Sequence, residues 1–157
     1  MDPRLNYQTV APGVMEAMLG LEKYIGTSGL EESLLNLVRM RSSQINGCVW
    51  CLDMHTKDAQ AAGEDVQRLL LLPAWREAPL YSDRERAALE WTERVTLLGD
   101  DTKKIDDATY DSVRKEFSEK ELVDLTLAII AINGWNRLNV PFHNVACTYV
   151  PKANIKG

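Results

Sequence analysis

Two cysteines and a histidine lie close together in the sequence, at Cys48, Cys51 and His55. In a helix from residue 48 to residue 62, these positions fall within an arc of about 60° on one face. Asn46-Gly47 predicts the turn that starts the helix, so Cys48 would lie in the first turn, where free amides and the helix dipole favour a thiolate. His55 follows Cys51 by four residues and can reach its thiol. The pattern predicts a redox-active dithiol with an adjacent base.

Two other interpretations of the cysteines and histidines stay open. Lone cysteines commonly pack as small buried hydrophobic side chains, and we expect this of Cys147. His143 and Cys147 are four residues apart and could supply two more ligands to a zinc ion held by the dithiol. The second Cys-x-x-Cys pair or histidine knuckle of common zinc sites is missing, so we predict neither a metal nor a cofactor.

Composition narrows the class of protein. The chain has 157 residues, 45% of them hydrophobic, which is enough for one domain with a core. The net charge of −5 and the absence of a long basic run argue against a general nucleic-acid-binding protein. Neither a long apolar run nor the pattern of a signal peptide is found, so we expect no membrane association and a cytoplasmic location. Cysteines in a reducing compartment favour redox cycling or metal binding over a permanent disulfide framework.

Helical periodicity extends through most of the chain, and no segment alternates convincingly with a period of two. We therefore predict an all-α single-domain bundle of six or seven helices, preceded by an extended arm at residues 1–11. Pro12 is well placed to begin the first helix. Ser28 followed by Glu31 predicts a capping box for the helix that leads into the dithiol. Further helix starts are predicted at Ser82, Asp106 and Ser118.

Two segments in the second half of the chain predict how the bundle packs. From Leu122 to Ile132 the helix is apolar on nearly every face, so we expect it at the centre of the fold or in a subunit interface. This helix is predicted to continue to about Asn139. An earlier segment carries many charges, which we expect to form a solvated face. These charged residues are Arg84, Glu85, Arg86, Glu90, Glu93 and Arg94.

With these elements in place, the chain resembles the alkylhydroperoxidase AhpD-like branch of the carboxymuconolactone decarboxylase superfamily. The run Leu34–His55, with Cys48-Val49-Trp50-Cys51 and His55 after three more residues, is similar to the core motif of that branch. The run Ala131–Val140 is similar to a C-terminal segment common in it. The resemblance implies an all-helical bundle that assembles into a dimer, trimer or hexamer. It also implies that Cys48 and Cys51 are the redox pair and His55 the base.

Two positions depart from the family motif. The motif glutamate, twelve positions before Cys48, is Asn36, and the residue before the second cysteine, a histidine in the best-known type, is Trp50. In the family both belong to a proton relay, and neither asparagine nor tryptophan titrates near neutral pH. Glu32, one helical turn before Asn36, could replace the carboxylate or be an ordinary exposed glutamate. Trp50 could shape an apolar substrate pocket or simply pack.

The dithiol and the resemblance together predict thiol-dependent reduction of an alkyl hydroperoxide in an antioxidant role, with an external dithiol or lipoyl-type reductant. Cys51 is the predicted attacking residue, since His55 lies one turn away, and Cys48 then resolves the sulfenic acid. The helix-start position of Cys48 favours the opposite order. The alternatives are a non-catalytic redox sensor, a metal-binding oligomer or an enzyme of the carboxymuconolactone decarboxylase type.

Overall fold

A computed structural model describes residues 2–151, with the backbone alone at Lys103. This part of the chain contains eight α-helices and two short 3₁₀ turns, and no strand. The helices are α1 (Tyr7–Val10), α2 (Pro12–Ile25), α3 (Glu32–Asn46), α4 (Val49–Ala61), α5 (Val66–Leu71), α6 (Asp83–Thr96), α7 (Asp107–Arg114) and α8 (Glu119–Phe142). The all-α prediction is confirmed, with one helix more than the six or seven expected.

The additional helix is α1, inside the segment that was predicted to be extended. The Asn6 side chain caps it by accepting hydrogen bonds from the backbone N–H groups of Gln8 and Thr9. Tyr7 is only 5% exposed, and its hydroxyl donates to Asn139 Oδ1 at 3.0 Å. The prediction for residues 1–11 is thus wrong at Tyr7–Val10, because a buried aromatic with a partner in α8 holds this turn in place. Met1 lies outside the described residues.

The predicted helix starts have mixed outcomes. The capping boxes at Ser82 and Ser118 and the Asp106 cap are confirmed. The box at Ser28 is wrong, because the Ser28 hydroxyl accepts from the Leu30 N–H and α3 begins only at Glu32. Gly29 has a φ of 89°. This left-handed conformation suits glycine and separates Ser28 from the helix.

Helix α8 runs through the centre of the fold and packs against α2, α3, α4, α6 and α7. The expectation of a central helix is confirmed, and the helix extends past the predicted end to Phe142, with Pro141 in its last turn. Part of its apolar surface is uncovered, since Val123 is 67% exposed. Within residues 2–151, no helix has the length and apolar character needed to cross a membrane.

One charge on α6 is buried, contrary to the solvated face that we expected. Glu93 is 3% exposed and accepts hydrogen bonds from Trp75 Nε1 at 2.9 Å, Arg41 Nε at 2.8 Å and an Arg76 guanidinium nitrogen at 2.8 Å. Burial by itself would raise the pKa of Glu93, but these hydrogen bonds outweigh it and hold the pKa below its ordinary value. The carboxylate therefore links α3, α6 and the loop that follows α5.

Candidate active site

The turn between α3 and α4 places the dithiol. Gly47 ends α3 with a φ of 65°, a left-handed conformation that glycine adopts without strain. Cys48 is then the N-cap of α4, one position before the first helical residue. Its Sγ accepts the Cys51 N–H at 3.4 Å. The sequence predicted an amide of the first helical turn near Cys48, and this amide is the Cys51 N–H, which donates a hydrogen bond to the Cys48 sulfur.

The two cysteines are joined in a disulfide. Their Cα atoms are 5.3 Å apart, and each residue is only 1% exposed. Ile132 of α8 packs on the pair, and Trp50 and Trp135 cover the same cluster. The sequence-predicted pair is thus brought together inside the protein, where bulk solvent does not reach either sulfur directly.

A cavity of about 510 Å³, here called the main cavity, lies beside Cys51. Every predicted site residue except Cys48 lines it. The remaining lining is largely aromatic and aliphatic. The full lining is Tyr7, Gln8, Met15, Leu19, Glu22, Glu32, Asn36, Arg39, Trp50, Cys51, Met54, His55, Asp58, Ala61, Ala62, Ile132 and Trp135. A volume of this size holds a small organic molecule.

His55 follows Cys51 by one turn of α4 and is buried, at 8% exposure. Burial, followed by the nearby positive charge of Arg39, lowers the pKa of His55 to about 3. The imidazole is therefore neutral at pH 7. Its ring has no hydrogen bond to any other residue between 2 and 151, so the lone pair on its unprotonated nitrogen has no donor among these residues.

This low pKa has a measurable effect on stability. Between pH 6.5 and pH 3 the unfolded chain protonates His55 and the folded protein does not, so folding stability falls as the pH falls, by about 1.4 kcal/mol per pH unit. His55→Gln removes this contribution. We expect the stability advantage of the wild type over the variant to shrink by about 2 to 3 kcal/mol between pH 6.5 and 4.5. Urea unfolding of both proteins measures it. The advantage should stay constant between pH 7 and 8, and parallel curves at all pH values would contradict the prediction.

The motif position Asn36 is buried and lines the main cavity, next to an ion-paired cluster. Arg39 binds Glu32 at 2.7 Å and Glu22 at 3.2 Å, and its own side chain is largely buried. Glu32 is thus an exposed ion-pair partner that borders the cavity. Arg39 was missed in the sequence, although its place three residues after Asn36 on the same helix was a usable signal.

Asn139 was also missed as a site residue. Its buried Nδ2 donates to Cys51 Sγ at 3.3 Å, and its Oδ1 accepts from the Tyr7 hydroxyl at 3.0 Å and from Asn144 Nδ2 at 2.5 Å. The two acceptor contacts fix the orientation of the amide, so its N–H group points at the sulfur. Cys51 and Asn139 are 88 positions apart, and no local pattern links them.

A second cavity, of about 480 Å³, adjoins Cys48. We call it the C-terminal cavity. It lies between the start of α4, the end of α8 and the chain that follows α8. It is lined by Gly47, Cys48, Val49, Trp50, Asn139, Val140, His143, Asn144, Val145 and Ala146.

The proposed extra zinc ligands are not arranged as the sequence suggested. His143 directly follows α8 as its C-cap, with a φ of 56°, and Cys147 has a φ of 69°, so their spacing of four residues is not a helical one. Cys147 is exposed, and the expectation that it is buried is wrong. Among the residues that the structure describes, no three His, Cys, Asp or Glu side chains are grouped to hold a metal ion.

Comparison with known proteins shows the family of the chain. Residues 12–94 match the model of the Carboxymuconolactone decarboxylase family, which is more than half of the chain. The chain belongs to this family and resembles its AhpD-like branch. It is 41% identical to the uncharacterized protein YdfG of Bacillus subtilis over 148 residues, which cover 94% of this chain and 99% of the relative.

Solved structures agree with this assignment. ATU0492 from Agrobacterium tumefaciens, a protein of unknown function proposed as the antioxidant defence protein AhpD, superposes with a TM-score of 0.88. It is 38% identical, and the match covers 94% of this chain and all of that one. The debrominase Bmp8, solved with 2,3,4-tribromopyrrole, superposes with a TM-score of 0.76 at 19% identity, over 90% of this chain and 74% of Bmp8, and shows the same fold.

Proposed function

We propose that the protein is a thiol-dependent peroxidase that reduces organic hydroperoxides. The observation that carries the proposal is the Cys48–Cys51 disulfide beside a cavity that Cys51 and His55 line together. The Cys51 thiolate attacks the terminal oxygen of the hydroperoxide and forms a sulfenic acid, the O–O bond breaks, and the departing alkoxide takes up the proton that the Cys51 thiol gave up and leaves as an alcohol. Cys48 then displaces water from the sulfenic acid and forms the disulfide. A dithiol restores both thiols, so one hydroperoxide and one dithiol give an alcohol, water and a disulfide.

Cys51 is the attacking residue in this proposal for three reasons. Cys51 lines the main cavity and Cys48 does not. His55 lies one turn of α4 away from Cys51 and lines the same cavity. The Asn139 amide donates to Cys51 Sγ, and such a hydrogen bond becomes stronger when the sulfur is a thiolate.

The two departures from the family motif fit an altered site. Neither Asn36 nor Trp50 can relay protons, so we assign stabilisation of the thiolate to the Arg39 charge and the Asn139 amide. Arg39 lines the main cavity as a largely buried cation, and a nearby positive charge favours a thiolate. Trp50 forms part of an apolar wall of the main cavity, and such a wall favours an alkyl or aryl hydroperoxide over hydrogen peroxide. Glu32 is assigned a supporting role, as the ion-pair partner of Arg39.

The cellular setting follows from the chemistry. Continued turnover needs a compartment that supplies reduced dithiols, so we place the protein in the cytoplasm, with an external dithiol or lipoyl-bearing reductant. By likeness to the family it acts as a homo-oligomer, and the uncovered apolar face of α8 around Val123 agrees with this assembly.

The proposal is tested by following loss of cumene hydroperoxide with an excess of dithiothreitol. The wild type should consume many equivalents of peroxide per protein chain. The control is the Cys48→Ser, Cys51→Ser double variant, which should be no faster than buffer. Equal rates for both proteins would refute the peroxidase and favour a redox sensor. Thiol-dependent loss of 2,3,4-tribromopyrrole without peroxide consumption would instead indicate a dehalogenase like the structural neighbour Bmp8.

Asn139→Leu tests the role of the amide in this reaction. Losing a hydrogen bond to a charged group costs about 1.5 to 3 kcal/mol, so we expect oxidation of the reduced protein at pH 7 to slow at least tenfold. The midpoint of its pH–rate curve should move to higher pH. Stopped-flow tryptophan fluorescence in a single turnover measures both. Tyr7→Phe should have a smaller effect, because it keeps the Asn139 amide as a donor to Cys51 and removes only one of the contacts that orient this amide. An unchanged midpoint would show that Asn139 serves packing alone.

A further inference from the structure

The Cys48–Cys51 disulfide lies between two cavities, and each cysteine lines a different one. Cys51 lines the main cavity and is absent from the lining of the C-terminal cavity. Cys48 lines the C-terminal cavity and is absent from the lining of the main cavity. Trp50, between the two cysteines in sequence, lines both and forms a partition. The two cysteines therefore border different cavities.

The outer wall of the C-terminal cavity is tied to α4 by polar contacts. The Cys147 N–H donates to Asp53 Oδ2 at 3.0 Å, and Lys57 Nζ donates to the Tyr149 carbonyl at 3.0 Å. The Tyr149 hydroxyl donates to Asp58 at 2.7 Å, and its ring meets the edge of Trp50. These contacts bridge more than 90 positions of sequence. They hold the chain after α8 against α4, so the wall at Val145 and Ala146 is fixed by the fold.

We infer that the C-terminal cavity is the binding site of the reductant, and that it takes a small dithiol that closes to a cyclic disulfide when it is oxidised. The inference rests on the proposed function and adds a separate entrance for the second substrate. The volume of about 480 Å³ lies within the range of small-molecule sites. Val140, Val145 and Ala146 provide apolar surface for the carbon chain of such a ligand.

The chemistry of disulfide reduction agrees with entry from this side. One thiolate of the ligand attacks Cys48 Sγ and forms a mixed disulfide, while the electron pair of the broken S–S bond leaves on Cys51. The second thiol of the ligand then attacks the ligand sulfur that is bonded to Cys48. This step closes the ligand to a cyclic disulfide and releases Cys48, and one proton ends on each cysteine sulfur or its base. Two electrons pass from ligand to protein.

The surroundings of the two sulfurs favour this direction of attack. A thiol leaves faster when its thiolate is stabilised, and Cys51 has the Asn139 amide as a donor to its sulfur. The departing thiolate is also produced where the next hydroperoxide arrives, in the main cavity beside His55. With separate entrances, dithiol and hydroperoxide do not compete for one site.

The test compares the two half-reactions in variants that each fill one cavity. Ala146→Trp fills the C-terminal cavity and Leu19→Trp the main cavity. The disulfide is first formed with diamide, and its reduction by dihydrolipoamide is followed through tryptophan fluorescence. Oxidation of the reduced protein by cumene hydroperoxide is followed in the same way. Because diamide forms the disulfide, the reduction step is measured even if the protein proves not to be a peroxidase.

We expect Ala146→Trp to slow reduction at least ten times more than it slows oxidation, and Leu19→Trp to do the reverse. Val150→Trp adds the same ring at an 80% exposed position that lines neither cavity, and is the control for both rates. The inference is wrong if the disulfide of Ala146→Trp is reduced as fast as that of Val150→Trp. It is also wrong if Leu19→Trp is the variant whose disulfide is reduced slowly, because the dithiol then enters through the main cavity.

A second measurement covers the case in which Ala146→Trp does not fold. In the Cys147→Ser background, which removes the exposed third thiol, Cys48→Ser and Cys51→Ser each leave a single cysteine. The remaining thiol is titrated with dithiodipyridine in the presence and absence of oxidised lipoamide. Lipoamide should protect Cys48 and leave the rate at Cys51 unchanged. Protection of Cys51 alone would overturn the inference.

Discussion

Cys51→Ser should abolish the reaction of the reduced protein with cumene hydroperoxide, including the first turnover. The serine hydroxyl has almost the same shape as the thiol but is a far weaker nucleophile at neutral pH, so we expect a loss of at least about a thousandfold. Mass spectrometry after one equivalent of peroxide should find no sulfenic acid at Cys48 in the variant. The measurement is direct because Cys51 is the only cysteine in the lining of the main cavity.

Cys48→Ser is the matched control, and its expected result is different. The variant should still consume one equivalent of peroxide at a rate near that of the wild type, then stop, because no resolving thiol is available. A sulfenic acid on Cys51 should be trapped with dimedone. If Cys51→Ser reacts in the first turnover and Cys48→Ser does not, Cys48 is the attacking residue. The hydrogen bond from the Cys51 N–H to Cys48 Sγ then favours the thiolate more than the contacts of Cys51 with His55 and Asn139 do.

Glu93→Ala should cause the largest loss of stability among the changes considered. The substitution leaves Arg41, itself largely buried, without its ion-pair partner and removes the acceptor of the Trp75 indole. Breaking a buried pair from one side costs about 3 to 5 kcal/mol. For a domain of this size the expected fall in Tm is about 10 °C. Urea denaturation and thermal scanning at pH 7 measure the two quantities.

Glu90→Ala, three residues earlier on α6, provides the comparison. Glu90 pairs with Arg76 and Arg94 on the partly exposed side of the helix, where such pairs contribute about 1 kcal/mol or less. Glu93→Gln, which keeps an acceptor oxygen for Trp75, should lie between the two alanine variants. Equal stability of Glu93→Ala and Glu90→Ala would mean that the buried carboxylate contributes no more than a surface one.

Much of the helical framework was predictable, because it depends on neighbours in sequence. The boxes at Ser82 and Ser118 join residues three positions apart, and Gly47 ends α3 where the Asn-Gly turn was expected. The apolar character of α8 on all faces predicted its central place. The box at Ser28 failed for an equally local reason, since Gly29 turns the chain before α3 begins.

The fold class and the dithiol could be predicted, because helical periodicity and the spacing of Cys48, Cys51 and His55 are properties of single helices. Which cysteine lines which cavity, and which side chain it contacts, depends on how the helices pack. Asn139 reaches Cys51 across 88 positions, and Glu93 is buried by arginines from other segments. Such contacts depend on how helices pack against each other, and the pattern along one helix contains no information about the side chains that a different helix brings to it.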